Sequence, residues 1–246
     1  MEHKAGQFSA MILAAGRGIR MRPMTDNMPK PLLSVGNKML IEYHIENLAR
    51  AGFIDIVINH AYLGAMIEAA LGNGSRYGVN ICYSREAMAL ETAGGIVKAL
   101  PLLERKNADK CLGYPFIVVN ADIYCEYDFA KLLPILRQMI TGKDMAHLVM
   151  VNNQEHHSDG DFFLDSGRLL QAGREKLTFS GISVYKPSFF NKIRSGVVLK
   201  LAPKLCEAIK EGNVSGEHYK GFWIDVGTPE RLHKIDAKLQ SKQGKH

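Results

Sequence analysis

The 246-residue chain has four cysteines, one tryptophan and nine prolines. None of Cys82, Cys111, Cys125 and Cys206 forms a C-x-x-C pair, which argues against a zinc knuckle or a dithiol redox motif. Three of them lie in or beside apolar stretches, where cysteine acts as a small buried hydrophobe. No apolar run approaches the roughly 18 residues of a membrane span. The start, MEHKAGQFSAMILAAG, has too short an apolar core before Gly16 and Arg17 for a signal peptide. A reduced cytoplasmic protein is therefore expected. There is no Ser/Pro-rich linker and no internal repeat, so one continuous domain over 1–246 is expected.

A broad basic face is also missing. The formal charge is +6, from 31 Lys+Arg against 25 Asp+Glu. Residues 1–31 carry a net +3 and residues 231–246 a net +4, which leaves the middle of the chain at −1. A duplex binder needs its cations spread over one face, and the basic tail 231–246 has no aromatic residue interleaved with it. Neither a nucleic-acid nor a membrane partner is expected.

What is present is an alternation of short apolar runs with helical patterns. Residues 9–15, 54–59, 79–83 and 116–120 read as buried strands, brief and mostly Val/Ile-rich. Residues 39–51, 61–71, 92–103 and 128–140 read as helices. This predicts an α/β fold with a doubly wound, mostly parallel sheet of Rossmann-like type. From about residue 146 the pattern changes. Strands are predicted at 146–151 and 177–184, a polar stretch at 152–161, and a helix at 202–211. A strand at 222–226 follows, then a helix opened by Thr228 as N-cap and Pro229 at its first position.

The first strand runs into Gly16-Arg17-Gly18-Ile19-Arg20-Met21-Arg22-Pro23. The third glycine of a dinucleotide fingerprint is missing, and no Gly-Lys-Ser/Thr follows as in a P-loop. Two glycines let backbone N–H groups approach an anion closely. Arg17, Arg20, Arg22 and Lys30 add cations, and Pro23, Pro29 and Pro31 stiffen the segment. A phosphate ligand or a solvated basic turn both fit this loop taken alone. Asp122 ends the apolar strand FIVVNAD and Asp225 ends FWIDVGT. A carboxylate at the carboxyl end of a buried strand is placed for Mg²⁺, or it caps the next turn.

LAAGRGIRMRPMTDNMPKPLL resembles the signature L-A-A-G-x-G-x-R-M-x-P-x-T-x-x-x-P-K-P of the sugar-1-phosphate nucleotidyltransferases. The likeness runs from about residue 9 to 236. It implies a nucleotide-binding part at about 9–145 and a sugar-binding part at about 146–240. It implies backbone contacts to the nucleotide at Ala14, Ala15, Gly16, Gly18 and Ile19, where Ile19 stands in place of the Thr of many members. It assigns Arg20 to the leaving pyrophosphate, Lys30 to the phosphates at the reacting centre, and Asp122 and Asp225 to Mg²⁺. Asn120 is expected to face phosphates or ribose. Ala121 replaces the usual Gly and is expected to crowd the ribose.

The segment SREAMALETAGG resembles the family turn over the base, with Gly94 allowing close backbone approach. Glu86 is a candidate acceptor for a base N–H, or an exposed loop charge. The Glu-Lys-Pro motif of thymidylyl-, guanylyl- and many uridylyltransferases is absent, because Leu177 follows Glu175-Lys176. The remaining segments look like those of the family's uridylyltransferases for N-acetylmuramate α-1-phosphate, which act in peptidoglycan recycling. That likeness implies sugar contacts at Asp161, Gly181 and Glu217, with His218 and Tyr219 nearby. His156-His157 is not expected to bind a metal jointly, because neighbours on a strand face opposite ways. The implied substrates are UTP and the sugar 1-phosphate, with Mg²⁺ as cofactor and a monomer or weak homo-oligomer as the assembly. The rival readings are a mannose-1-phosphate guanylyltransferase and an inactive nucleotide-binding regulatory subunit. The latter should lack some of Arg20, Lys30, Asp122 and Asp225.

Overall fold

The apolar run at the start becomes the central strand β1 (Ser9–Leu13), whose interior residues Ala10, Met11 and Ile12 are fully buried. The computed structural model describes residues 4–104 and 113–243; Cys111 and Lys245 lie outside them. A short ribbon, β2 (Ser34–Val35) and β3 (Lys38–Met39), leads into α1 (Leu40–Arg50). Then follow β4 (Asp55–His60), α2 (Gly64–Leu71), β5 (Asn80–Arg85) and α3 (Glu91–Leu103). The next elements are β6 (Phe116–Asn120), β7 (Ile123–Cys125), α4 (Leu132–Thr141) and β8 (Ala146–Val151). The chain continues through β9 (Phe162–Asp165), β10 (Arg168–Leu170) and the long β11 (Lys176–Tyr185). It ends with α5 (Ala202–Lys210), β12 (Val214–His218), β13 (Trp223–Asp225) and α6 (Pro229–Gln243). As the sequence predicts, α6 opens on Thr228 and Pro229, and the Arg231 N–H donates to Thr228 Oγ1 at 3.5 Å.

Nine strands form one sheet in the order β5-β4-β1-β6-β11-β8-β12-β10-β9. The pairs β5–β4, β4–β1, β1–β6 and β8–β12 are parallel. Strand β11 runs antiparallel to both β6 and β8, and β9 and β10 close the far edge in antiparallel fashion. Parallelism is thus concentrated in the first half, where helices connect the strands. The second half uses short connections, which suit antiparallel neighbours. Helices cover both faces, and two large clusters of buried side chains fill the layers. A third, smaller cluster packs α6 against α1 and the β7/β13 ribbon.

That ribbon matters for the site. β13 pairs antiparallel with β7, placing Asp225 opposite Ile123, and the Val226 N–H donates to the Asp122 carbonyl at 2.7 Å. Two aspartates 103 positions apart in sequence are therefore neighbours at one end of the sheet.

Candidate active site

Two cavities open at the carboxyl end of the parallel strands, where ligands of such sheets bind. The first holds about 440 Å³ and is lined by the loop Leu13–Met21, Lys30, Asn59, Glu91, Thr92 and Asn120–Asp122, among others. The second holds about 360 Å³ and is lined by Gln154, His156, His157, Asp161, Thr178–Ser180, Trp223 and Asp225, among others. Arg20, Asn120 and Asp122 line both. The cavities therefore meet at one arginine, one amide and one carboxylate.

The first cavity is walled on one side by a single loop rich in Ala and Gly. Ala14 is tied down by Asn59, whose Oδ1 accepts its N–H at 3.0 Å. A Cβ on Gly16 would meet nothing within 4 Å, so protein packing does not require glycine there. Gly18 is different: its φ of +67° is left-handed, and a Cβ would press on Thr25 and Lys30 at 3.1 and 3.2 Å. The turn is closed by the Thr25 hydroxyl donating to Gly18 O at 2.8 Å. Its tight path brings Lys30 beneath the loop. Lys30 is buried, and its ammonium donates to Asp122 Oδ2 at 2.7 Å. A buried lysine needs such a partner. Ile19 lines the cavity with its side chain 63% exposed.

The second cavity is built from side chains. Asp161 accepts the Phe179 N–H at 2.7 Å on one oxygen and faces His157 Nε2 at 3.1 Å with the other. Asp225 accepts from Arg231 at 2.6 Å and lies 2.9 Å from His156 Nε2. The Trp223 indole donates to the Ser180 carbonyl at 2.9 Å, fixing the floor. His156 and His157 sit on a 3₁₀ turn rather than a strand, so the alternation argument does not apply to them. They nevertheless face different aspartates. Among the described residues no group of three or more His, Cys, Asp or Glu is arranged to hold a metal. Asp122 and Asp225 offer two carboxylates, which suits Mg²⁺ completing its shell with phosphate oxygens and water.

Several expected residues fall elsewhere. Gly94 lines neither of these two cavities; it is buried in α3, and a Cβ there would come within 2.2 Å of the Val197 carbonyl. Its small size serves helix packing. Glu86 is buried, and its carboxylate accepts from Asn59 Nδ2 at 2.7 Å and from the Leu90 N–H at 3.0 Å. It is not an exposed loop charge, and it lines neither cavity. Gly181 (φ +82°) sits at the irregularity of β11 and makes room for the Asn120 side chain, which a Cβ would meet at 2.6 Å. Glu217 lies outside both linings because β12 is separated from β11 by β8. It accepts from the Tyr127 hydroxyl, and burial, reinforced by this bond, pushes the Tyr127 phenol above its ordinary range. Tyr219 packs edge-on against Tyr127, and His218 contacts Asn152 at 2.8 Å. The segment SGEHY thus serves a neighbouring cluster. Gln154, Thr178 and Arg231 stand in segments that resemble the family, but the sequence assigned them no role.

The nucleotidyl transferase family model matches residues 9–242. This chain belongs to the sugar-1-phosphate nucleotidyltransferase family. It is 50% identical over 232 residues to the N-acetylmuramate alpha-1-phosphate uridylyltransferase of Neisseria meningitidis serogroup B, covering 93% of this chain and 96% of that one. It is 31% identical to the mannose-1-phosphate guanyltransferase of Aspergillus oryzae, covering 90% of this chain and 61% of that longer protein. The fold is also that of a protein described as a glucose-1-phosphate thymidylyltransferase of Bacillus anthracis (TM-score 0.79, 20% identity, 94% and 95% covered). It matches HddC of Yersinia pseudotuberculosis as well (TM-score 0.72, 22% identity, 94% and 99% covered). In this nucleotidyltransferase the Ala121 backbone stays outside the left-handed region, and its N–H donates to the Leu13 carbonyl at 3.0 Å. Alanine therefore imposes no backbone strain at that position.

Proposed function

We propose that the protein transfers the uridylyl group of UTP to N-acetylmuramate α-1-phosphate, giving the UDP-sugar and pyrophosphate. The reading rests on the junction of the two cavities at Arg20, Asn120 and Asp122, together with the likeness to the Neisseria enzyme along nearly the whole of both chains. The nucleotide would occupy the first cavity and the sugar the second. Such a reaction belongs in the cytoplasm, in the recycling of cell-wall sugars, and needs no partner protein.

The reaction needs no protein nucleophile. A phosphate oxygen of the sugar 1-phosphate attacks the α-phosphorus of UTP in line, and the bond to pyrophosphate breaks. The protein's part is positioning and charge neutralisation. Backbone at Ala14–Gly18 would hold the triphosphate, Lys30 would meet the α-phosphate, and Arg20 the departing pyrophosphate. Asp161 and His157 would orient the sugar. Asp122 and Asp225 would hold Mg²⁺, which when bound supplies charge neutralisation to the phosphates. Lys30 and Arg231, which face these carboxylates, keep the pair compensated in the free protein.

The test is pyrophosphate release from UTP, GTP, dTTP, CTP and ATP against a panel of sugar 1-phosphates, with and without Mg²⁺. UTP with N-acetylmuramate 1-phosphate should be the preferred pair. Preference for GTP with mannose 1-phosphate would overturn the assignment.

A further inference from the structure

Glu91 is, among the described residues, the one non-glycine in either cavity wall with a left-handed backbone (φ +60°). That conformation is unfavourable for a residue with a side chain and persists only where the surroundings over-determine it, which happens preferentially at ligand sites. The surroundings here do so. The Leu90 N–H donates to the buried Glu86 carboxylate at 3.0 Å, and the Leu90 carbonyl accepts from Leu199 N–H at 3.0 Å. The Leu199 carbonyl in turn accepts the N–H groups of Ala93 and Gly94 at 3.0 and 3.2 Å. Gly94 fits beneath this strap only because it has no side chain. The chain is thus pinned on both sides of Glu91.

No hydrogen-bond or ion-pair partner among the described residues accounts for the carboxylate of Glu91. Acidic residues are common in the first turn of a helix, where the dipole favours them. That preference does not call for a left-handed φ. The position in the cavity is informative. The reacting phosphates belong at the junction of the cavities, beside Arg20 and Asp122. Glu91, Ala89 and Thr92 line the first cavity and not the second, and a carboxylate with no cation beside it repels a triphosphate, which leaves the uncharged base as its partner. The other acid of this loop, Glu86, is buried against Asn59 and Leu90 and lines neither cavity.

We propose that Glu91 reads the base: its carboxylate accepts the ring N–H that uracil, thymine and guanine present on their pairing edge. Cytosine and adenine present a nitrogen lone pair there and would be repelled. The inference rests on the first cavity being the nucleotide site.

The test compares Glu91→Gln and Glu91→Gly with the wild type. The readouts are kcat/KM for UTP and for CTP with a fixed sugar 1-phosphate, and calorimetric Kd values for UMP and CMP. A neutral amide both accepts and donates, so Glu91→Gln should lower the UTP-to-CTP ratio by about tenfold or more, as expected when a polar selectivity contact is lost. The UMP-to-CMP affinity ratio should fall with it. Glu91→Gly should lose the same discrimination with no loss of thermal stability, because glycine adopts this φ freely. Ratios unchanged within about twofold in both folded variants would overturn the role, since so small a change falls below the tenfold that a lost polar contact produces. If the wild type uses GTP instead, the uridylyl reading fails, and the same variants with GTP against ATP still decide the role of Glu91.

Discussion

The two cavities are made differently. The side proposed for the nucleotide is walled by one stretch, Leu13–Met21, whose Ala and Gly side chains screen little of the main chain; Asn59 holds it and Lys30 closes it underneath. The side proposed for the sugar draws its polar side chains from four separate segments, around 120–123, 154–161, 178–180 and 223–225, with Arg231 of α6 behind Asp225. Main chain offers the same donors whatever side chain it carries, so it suits a ligand common to a whole family. Side chains carry shape and charge, so they suit the substrate that differs among relatives. Tolerance to substitution should therefore differ between the two walls.

The largest effect is expected at the junction. Asp122→Ala or Asp225→Ala should abolish Mg²⁺-dependent turnover while circular dichroism shows a folded protein. Lys30→Ala comes next. It removes the cation proposed to meet the reacting phosphates and should lower kcat by about a hundredfold. Steady-state rates within about twofold of wild type would exclude that role. On the sugar side, Asp161→Ala should raise KM for the sugar 1-phosphate by about tenfold, the equivalent of one hydrogen bond to a charged group. KM for UTP should stay near its wild-type value, and a parallel rise in both would show that the cavities are not separate. On the nucleotide side, Ile19→Ala should change KM for UTP by no more than about twofold, because the exposed side chain adds little where backbone does the binding.

The same contrast explains what could be read from the residues alone. Strands at 116–120 and 146–151 and the helix after Thr228 were legible because buried strands and capped helices leave local signals. The loop proposed to hold the nucleotide was legible because its residues are contiguous in sequence. Strands β9, β10 and β12 were not: β9 and β10 are the four- and three-residue arms of a small hairpin, and β12 pairs with β8 and β10, far along the chain. Gly94 and Glu217 show the limit of motif transfer. A glycine spacing suggests close approach but not to what, and here the neighbour is Val197 rather than a ligand. Glu217 stands near candidate pocket residues in sequence yet one strand too far away in the sheet. Arg231 could be recognised only once α6 was seen to deliver it onto Asp225.

The most direct measurement is a crystal structure of the protein with its nucleotide-sugar product. The account predicts the nucleotide in the cavity of Gly16 and Glu91, the diphosphate beside Arg20, Asn120 and Asp122, and the sugar against Asp161 and His157. A sugar seated outside the second cavity, or a diphosphate away from Asp122, would contradict it.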